Sequence, residues 1–158
     1  MKNKSTLFWT ALFLLLSTTS TAQKWYKLEK RDILAATSAM FAGAFEGTAE
    51  TLKWHYHEFE AAVPGANAEY WNPEISWRNK YRDGIAENGP KHFGSTTFLV
   101  WTTDGYHLMR TGRNLMFGTT LFLAPRKNSN WKTQLLRVAV YTLAYQAGFH
   151  LTYTVAFR

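Results

Sequence analysis

The chain has 158 residues, a formal charge of +7, 46% hydrophobic residues and no cysteine. The missing cysteines exclude disulfides and thiolate metal sites. The positive charge points to anionic surfaces such as lipid headgroups or phosphorylated envelope polymers. No nucleic-acid recognition motif accompanies it, so nucleic acid is set aside as a partner.

The first segment is Met1-Lys-Asn-Lys4, an apolar run from Leu7 to Leu16, and Ser17-Thr-Thr-Ser-Thr-Ala22-Gln23. A basic head, a short apolar stretch and small residues predict a signal peptide over 1–22, cut ahead of Gln23. The apolar run is too short to span a bilayer comfortably. Residues 23–158 are then expected to form a single helical, membrane-associated domain, exported to the cell envelope or periplasm.

Residues 24–32 form a charged, aromatic lead-in, with Asp32 expected to cap the next helix. From Ile33 to about Ala62 the composition predicts one helix, stopped by Val63-Pro-Gly65. A long connection, 64–92, holds Tyr70, Trp71, Trp77 and Tyr81, and so many large aromatics predict an ordered segment. A second helix is expected from Phe93 to about Leu123, interrupted near Gly105 or Gly112, and a turn follows over 125–130. The third helix is expected from Trp131 to near the C-terminus. Its β-branched and aromatic residues also suit strands, but its length favours a helix. The predicted fold is all-α, with three principal helices and a long, aromatic-rich structured connection between the first and second.

Insertion energies bear on the membrane. Asp104, Arg110 and Arg113 would cost about 8–10 kcal/mol at the centre of a bilayer, against about 4–5 returned by the apolar residues around them. Glu46 and Glu50 raise the same objection for the first helix. The third carries Arg137 near its start, and is the one segment expected as an independent transmembrane helix. Either three helices insert together with polar stripes facing inward, or the bundle touches lipid only through its last helix or an aromatic rim.

Each predicted helix carries polar residues on one face. Glu46, Glu50 and His57 lie on the first, beside the small-residue ladder Ala39, Gly43, Gly47, which permits close helix approach. Asp104-x-x-His107 lies on the second and resembles the acid-x-x-His pairs of carboxylate metal bundles. Gln146, His150 and Tyr153 lie on the third. If the helices converge, Glu46, Glu50, Asp104, His107 and His150 make a ligand set suited to zinc, iron or manganese. The same residues also serve as a structural hydrogen-bond network or a proton-linked polar core, with Asp104 orienting His107 or pairing with Arg110. Nucleophile elbows, phosphate loops and HExxH are absent. In the connection, Trp71, Trp77, Arg78, Lys80, Tyr81 and Arg82 mix aromatics with cations, as lipid or partner contacts or as a packed lid.

The runs Phe41-Ala-Gly-Ala-Phe-Glu-Gly-Thr-Ala-Glu50, Tyr70-Trp-Asn-Pro-Glu-Ile-Ser-Trp-Arg-Asn-Lys-Tyr81 and Gly94-Ser-Thr-Thr-Phe-Leu-Val-Trp-Thr-Thr-Asp-Gly-Tyr-His107 resemble small exported helical proteins of Bacteroidota. The resemblance implies an envelope location and a helical fold, and it brings no activity. The functional expectation is a membrane-associated envelope protein with a non-catalytic structural or interaction role, bound to membrane lipid, an envelope protein or a second copy of itself. The alternative is a metal-binding protein or metal-dependent enzyme built on the carboxylate/histidine set.

Overall fold

The longest helix, α1, runs over Lys30–Trp54, with Asp32 in its first turn and Lys53 in its last, charges that suit the two ends of a helix dipole. It ends one residue before α2, Tyr56–Ala62, because His55 leaves helical geometry at φ −142°, ψ 43°. The single helix expected over 33–62 is therefore two. Gly65, at φ +85°, turns the chain after α2. The computed structural model describes residues 29–124 and 130–158. The expected signal peptide, most of the charged lead-in and residues 125–129 of the expected turn lie outside them.

Two short helices follow, α3 over Ala68–Trp71 and α4 over Pro73–Ser76. Each is capped by asparagine: Asn67 accepts from the Glu69 amide at 2.9 Å and Asn72 from the Glu74 amide at 3.0 Å. The rest of the connection is 3-10 turns and an antiparallel bridge between Tyr81 and Pro90. The bridge is fixed by the Lys91 amide on the Lys80 carbonyl and the Arg82 amide on the Gly89 carbonyl, both at 3.0 Å. The same Lys80 carbonyl accepts from the buried Ser95 hydroxyl at 2.8 Å.

Helix α5 spans Gly105–Leu123 and α6 spans Trp131–His150, continuing into a π-helical turn over Leu151–Ala156. The second long helix was expected from Phe93; it starts twelve residues later in the chain. Gly94 takes φ +78°, and the hydroxyls of Thr102 and Thr103 bond carbonyls three residues back. These local bonds compete with helix extension, and Asp104 caps the helix from outside it. The described residues contain six α-helices and no strand, so the all-α class holds.

Helix α1 lies between the other two long helices. Against α6 it runs parallel: Asp32 meets Arg137, Gly43 meets Tyr145, and Gly47 meets Phe149 and Thr152. The approach is backbone to backbone. A Cβ on Gly43 would fall 1.9 Å from the Tyr145 carbonyl oxygen, and one on Gly148 would fall 1.9 Å from that of Met40. The ladder Ala39, Gly43, Gly47 is buried in this seam, and the Thr152 hydroxyl crosses it to the Ala44 carbonyl at 3.1 Å. Against α5 the direction reverses: Ser38 bonds the Met116 carbonyl at 3.0 Å, and Arg31 bonds that of Phe122 at 3.3 Å.

The buried core is small among the described residues, and many large hydrophobics are exposed. Among the described residues the buried hydrophobics are Ala35, Ala39, Ala42, Ala49, Leu52 and Phe59, four of the six being alanine. Asp32, Ser38, Thr51, Asp104, Thr120 and Arg137 are buried with them. Outside stand Ile33, Leu34, Phe41, Leu115, Phe122, Leu135, Leu143 and Val155, all half exposed or more.

One expectation is corrected. Among the described residues no helix is long and apolar enough to cross a membrane. Helix α6 carries Lys132, Gln134, Arg137, Gln146 and His150 within its 20 residues, and α5, begun at Gly105, keeps only 19 residues with His107, Arg110 and Arg113 among them.

Candidate functional site

Asp104 is the residue around which the connection and α5 are organised. Its backbone is extended, at φ −156° and ψ 155°, and its carboxylate accepts from the His107 amide at 2.8 Å. The same carboxylate faces His107 Nδ1, which lies 2.8 Å from both of its oxygens. Thr103 adds its hydroxyl at 3.2 Å. Asp104 is 1% exposed, and the connection buries it. The Asn79 amide ties the Thr103 carbonyl at 3.2 Å to that of Glu69 at 2.6 Å. Trp71 lies so close over Gly105 that a Cβ there would be 2.2 Å from the indole. Nearby Tyr70 has its hydroxyl pKa raised by burial and, secondarily, by the Asp104 charge.

A buried carboxylate on Nδ1 fixes the imidazole ring and favours the tautomer with its proton there, leaving Nε2 for a proton or an ion. The pair is an imidazole oriented through Nδ1 by a buried carboxylate.

A second polar cluster lies between the long helices. Glu46 accepts from Arg113 at 2.7 Å, Arg113 also reaches Asn114, and Arg110 donates to the Tyr106 hydroxyl at 3.0 Å. Tyr145 of α6 faces this group. Burial raises its hydroxyl pKa, Glu46 and Glu50 raise it further, and Arg113 and Arg110 oppose them.

The five metal-ligand candidates separate. Asp104 and His107 pair with each other. Glu46 is taken by Arg113, and Glu50 accepts from Trp54 Nε1 at 2.9 Å. His150 is exposed and bonds Thr154 at 3.2 Å. Among the described residues no three His, Asp or Glu side chains gather to hold a metal ion. His57, expected on the face of the two glutamates, lies beyond the break at His55 with its side chain 80% exposed.

The aromatic and basic residues of the connection divide in two. Trp71 is a lid, packed on Gly105, on Phe59 at 5.4 Å and on Tyr70 at 5.2 Å between ring centres. Trp77, Arg78, Lys80, Tyr81 and Arg82 are half-buried or exposed on the surface. There Arg78 stacks 5.6 Å from the Trp77 ring and Lys80 lies 5.7 Å from that of Tyr81.

Two features have no counterpart in the sequence reading. Asp32, expected as a cap, lies inside the first turn of α1 and receives Arg137 Nε at 2.8 Å and the Tyr141 hydroxyl at 2.8 Å. Acid and guanidinium are both buried, so the charge that made α6 costly is neutralised within the bundle. The other is a clasp of His55, Glu58, Tyr153 and Arg158. Arg158 donates to Glu58 at 3.1 Å and to the Tyr153 hydroxyl at 3.0 Å, and it contacts His55. Neither joins residues close in the chain, since Asp32 and Arg137 are 105 residues apart and Glu58 and Arg158 are 100 apart. Compared with family models, curated proteins and solved structures, the chain finds no match.

Proposed function

We propose that the protein is a non-catalytic helical component of the cell envelope whose outer face rests in a lipid surface. The observation that carries this reading is the apolar shell: the core is four alanines with Leu52 and Phe59, while residues such as Ile33, Phe41, Leu115, Phe122, Trp131 and Leu143 stand outside. Contiguous apolar surface beyond a few hundred Å² marks a face that something covers. Burying it returns about 25 cal/mol per Å², which a lipid phase supplies.

Lipid fits better than a protein partner because cations accompany the exposed aromatics. Lys132 lies 5.8 Å from the ring of Trp131, Lys53 4.5 Å from that of Trp54, and Arg78 beside Trp77. Amphipathic rings with basic neighbours suit the headgroup layer, where each Lys or Arg adds about 1 kcal/mol near an anionic surface. The Asp104–His107 pair is read as the rivet that holds the connection to α5.

Flotation tests the idea. The purified full chain is mixed with vesicles of phosphatidylglycerol or of phosphatidylcholine and spun through a density gradient. It is expected to rise with both, more completely with the anionic vesicles, and to lose only that excess at high salt. Protein left at the bottom with either lipid sinks the proposal. A discrete oligomer there would assign the apolar shell to a second copy.

A further inference from the structure

Helix α2 is held in place by few contacts. Of its seven residues only Phe59 is buried. That ring packs on Trp71 and on Phe157, each 5.4 Å away between ring centres. Helical geometry stops on both sides of α2, at His55 before it and at Gly65, with φ +85°, shortly after it. An open cleft of about 740 Å³, lined by His55, Glu58, Ala61, Ala62, Phe157 and Arg158, lies beside it. A helix this short does not hold itself together in water, so its docking contacts decide whether it persists.

Arg158 reaches α2 from the end of the chain segment that follows α6. It donates to Glu58 at 3.1 Å and to the Tyr153 hydroxyl at 3.0 Å, and its guanidinium lies 4.4 Å from the Tyr153 ring. His55 is fixed to the same Tyr153 hydroxyl at 3.1 Å, so one side of α2 is anchored while the helix itself is not. Glu58 and Arg158 are both partly exposed, and water weakens a bond of this kind. The Tyr56 hydroxyl, at the start of α2, is buried with no hydrogen-bond partner among the described residues. Undocking would return it to water and offset part of the cost.

The aromatic contacts lead from α2 to the buried carboxylate. Phe59 packs on Trp71, and Trp71 covers Gly105, the residue after Asp104. The lid over the Asp104–His107 pair therefore leans on a helix secured by one ring and one partly exposed ion pair. Elements with so few buried apolar contacts are the ones that open locally while the rest of a fold stays closed.

We infer that α2 is a latch: it swings as a unit between His55 and Gly65, Arg158 holds it shut, and its release frees Trp71 and lets water reach the Asp104–His107 pair. Lipid contact plays no part in this motion.

Native-state amide exchange, followed by nuclear magnetic resonance on the full chain, tests it. The Val63 amide, on the Phe59 carbonyl at 2.9 Å, reports α2, and the His107 amide, on Asp104 at 2.8 Å, reports the lid. Ala42 and Ala49, fully buried in α1, report the bundle. After correction for intrinsic rates, Val63 and His107 should exchange about tenfold faster than Ala42 and Ala49. Arg158→Gln should speed Val63 and His107 together by about threefold. The chain has no cysteine of its own, so Glu58→Cys with Arg158→Cys gives one thiol pair, which dibromobimane links. Linking should slow Val63 and His107 about tenfold relative to the unlinked form of the same variant. If Val63 and His107 exchange only as slowly as Ala42 and Ala49 in the unmutated chain, no separate latch motion exists. A Val63 rate unchanged in Arg158→Gln removes Arg158 as the holder. Linking that slows Val63 and leaves His107 as it was overturns the coupling of latch to lid.

Discussion

Helix α1 meets its two long neighbours in different ways. Toward α6 it presents Gly43 and Gly47 and receives Gly148, so main chains touch, with the Thr152 hydroxyl as the one small side chain reaching across at Gly47. Toward α5 it presents Phe45 against Gly112, Ser38 against a carbonyl, and Glu46 against Arg113. The first seam is specified by small residues and close main chains and sealed by a buried ion pair. The second is specified by side chains. Close backbone contact fixes a geometry because nothing can rearrange, while long side chains tolerate adjustment. A helix that binds closely on one side and through side chains on the other holds the bundle together by two different means.

The sharpest way to break the rigid seam is to strand its buried charge. Arg137→Leu leaves the Asp32 carboxylate buried without its guanidinium and should cost about 3–5 kcal/mol, measured by denaturant unfolding. Adding Asp32→Asn should recover a good part of the loss. If the double variant is no better than the single, the pair is not the coupled unit described.

Next in size is Gly43→Ala. One methyl group would have to displace the Tyr145 carbonyl, and the expected cost is about 3 kcal/mol, near the upper end for overpacking. An unchanged unfolding midpoint would mean that the helices do not touch there.

The looser seam should answer more weakly. Arg113→Gln removes a partly buried bond to Glu46 and should cost about 1 kcal/mol. A loss matching that of Gly43→Ala would erase the distinction between the two seams.

Part of this arrangement could be read from the chain. Ala39, Gly43 and Gly47 mark a close-approach face because their spacing is local and small residues have few other uses there. Asp104 and His107 were legible as neighbours for the same reason, three residues apart on one chain segment. What their spacing could not say is that Asp104 stands outside the helix as its cap, since that depends on Thr102, Thr103, Asn79 and Trp71 closing around it. Asp32 and Arg137 are separated by 105 residues, and no periodicity connects them. The expectation of a transmembrane third helix failed because α6, with Lys132, Gln134, Arg137, Gln146 and His150 along it, is not long and apolar enough to cross a membrane. The break at His55 left no glycine or proline to announce it.

That separation of 105 residues between the partners of the rigid seam has a kinetic meaning. Closing a loop of this length costs about 4 kcal/mol in chain entropy before the contact returns anything. Most contacts of a helical chain are local and form first, so a contact of this span is among the last to be made. The glycine face of α1 is therefore covered only after that long loop closes. Loop length thus favours one order of assembly, with the nearer α1 and α5 associating before α6 closes onto them.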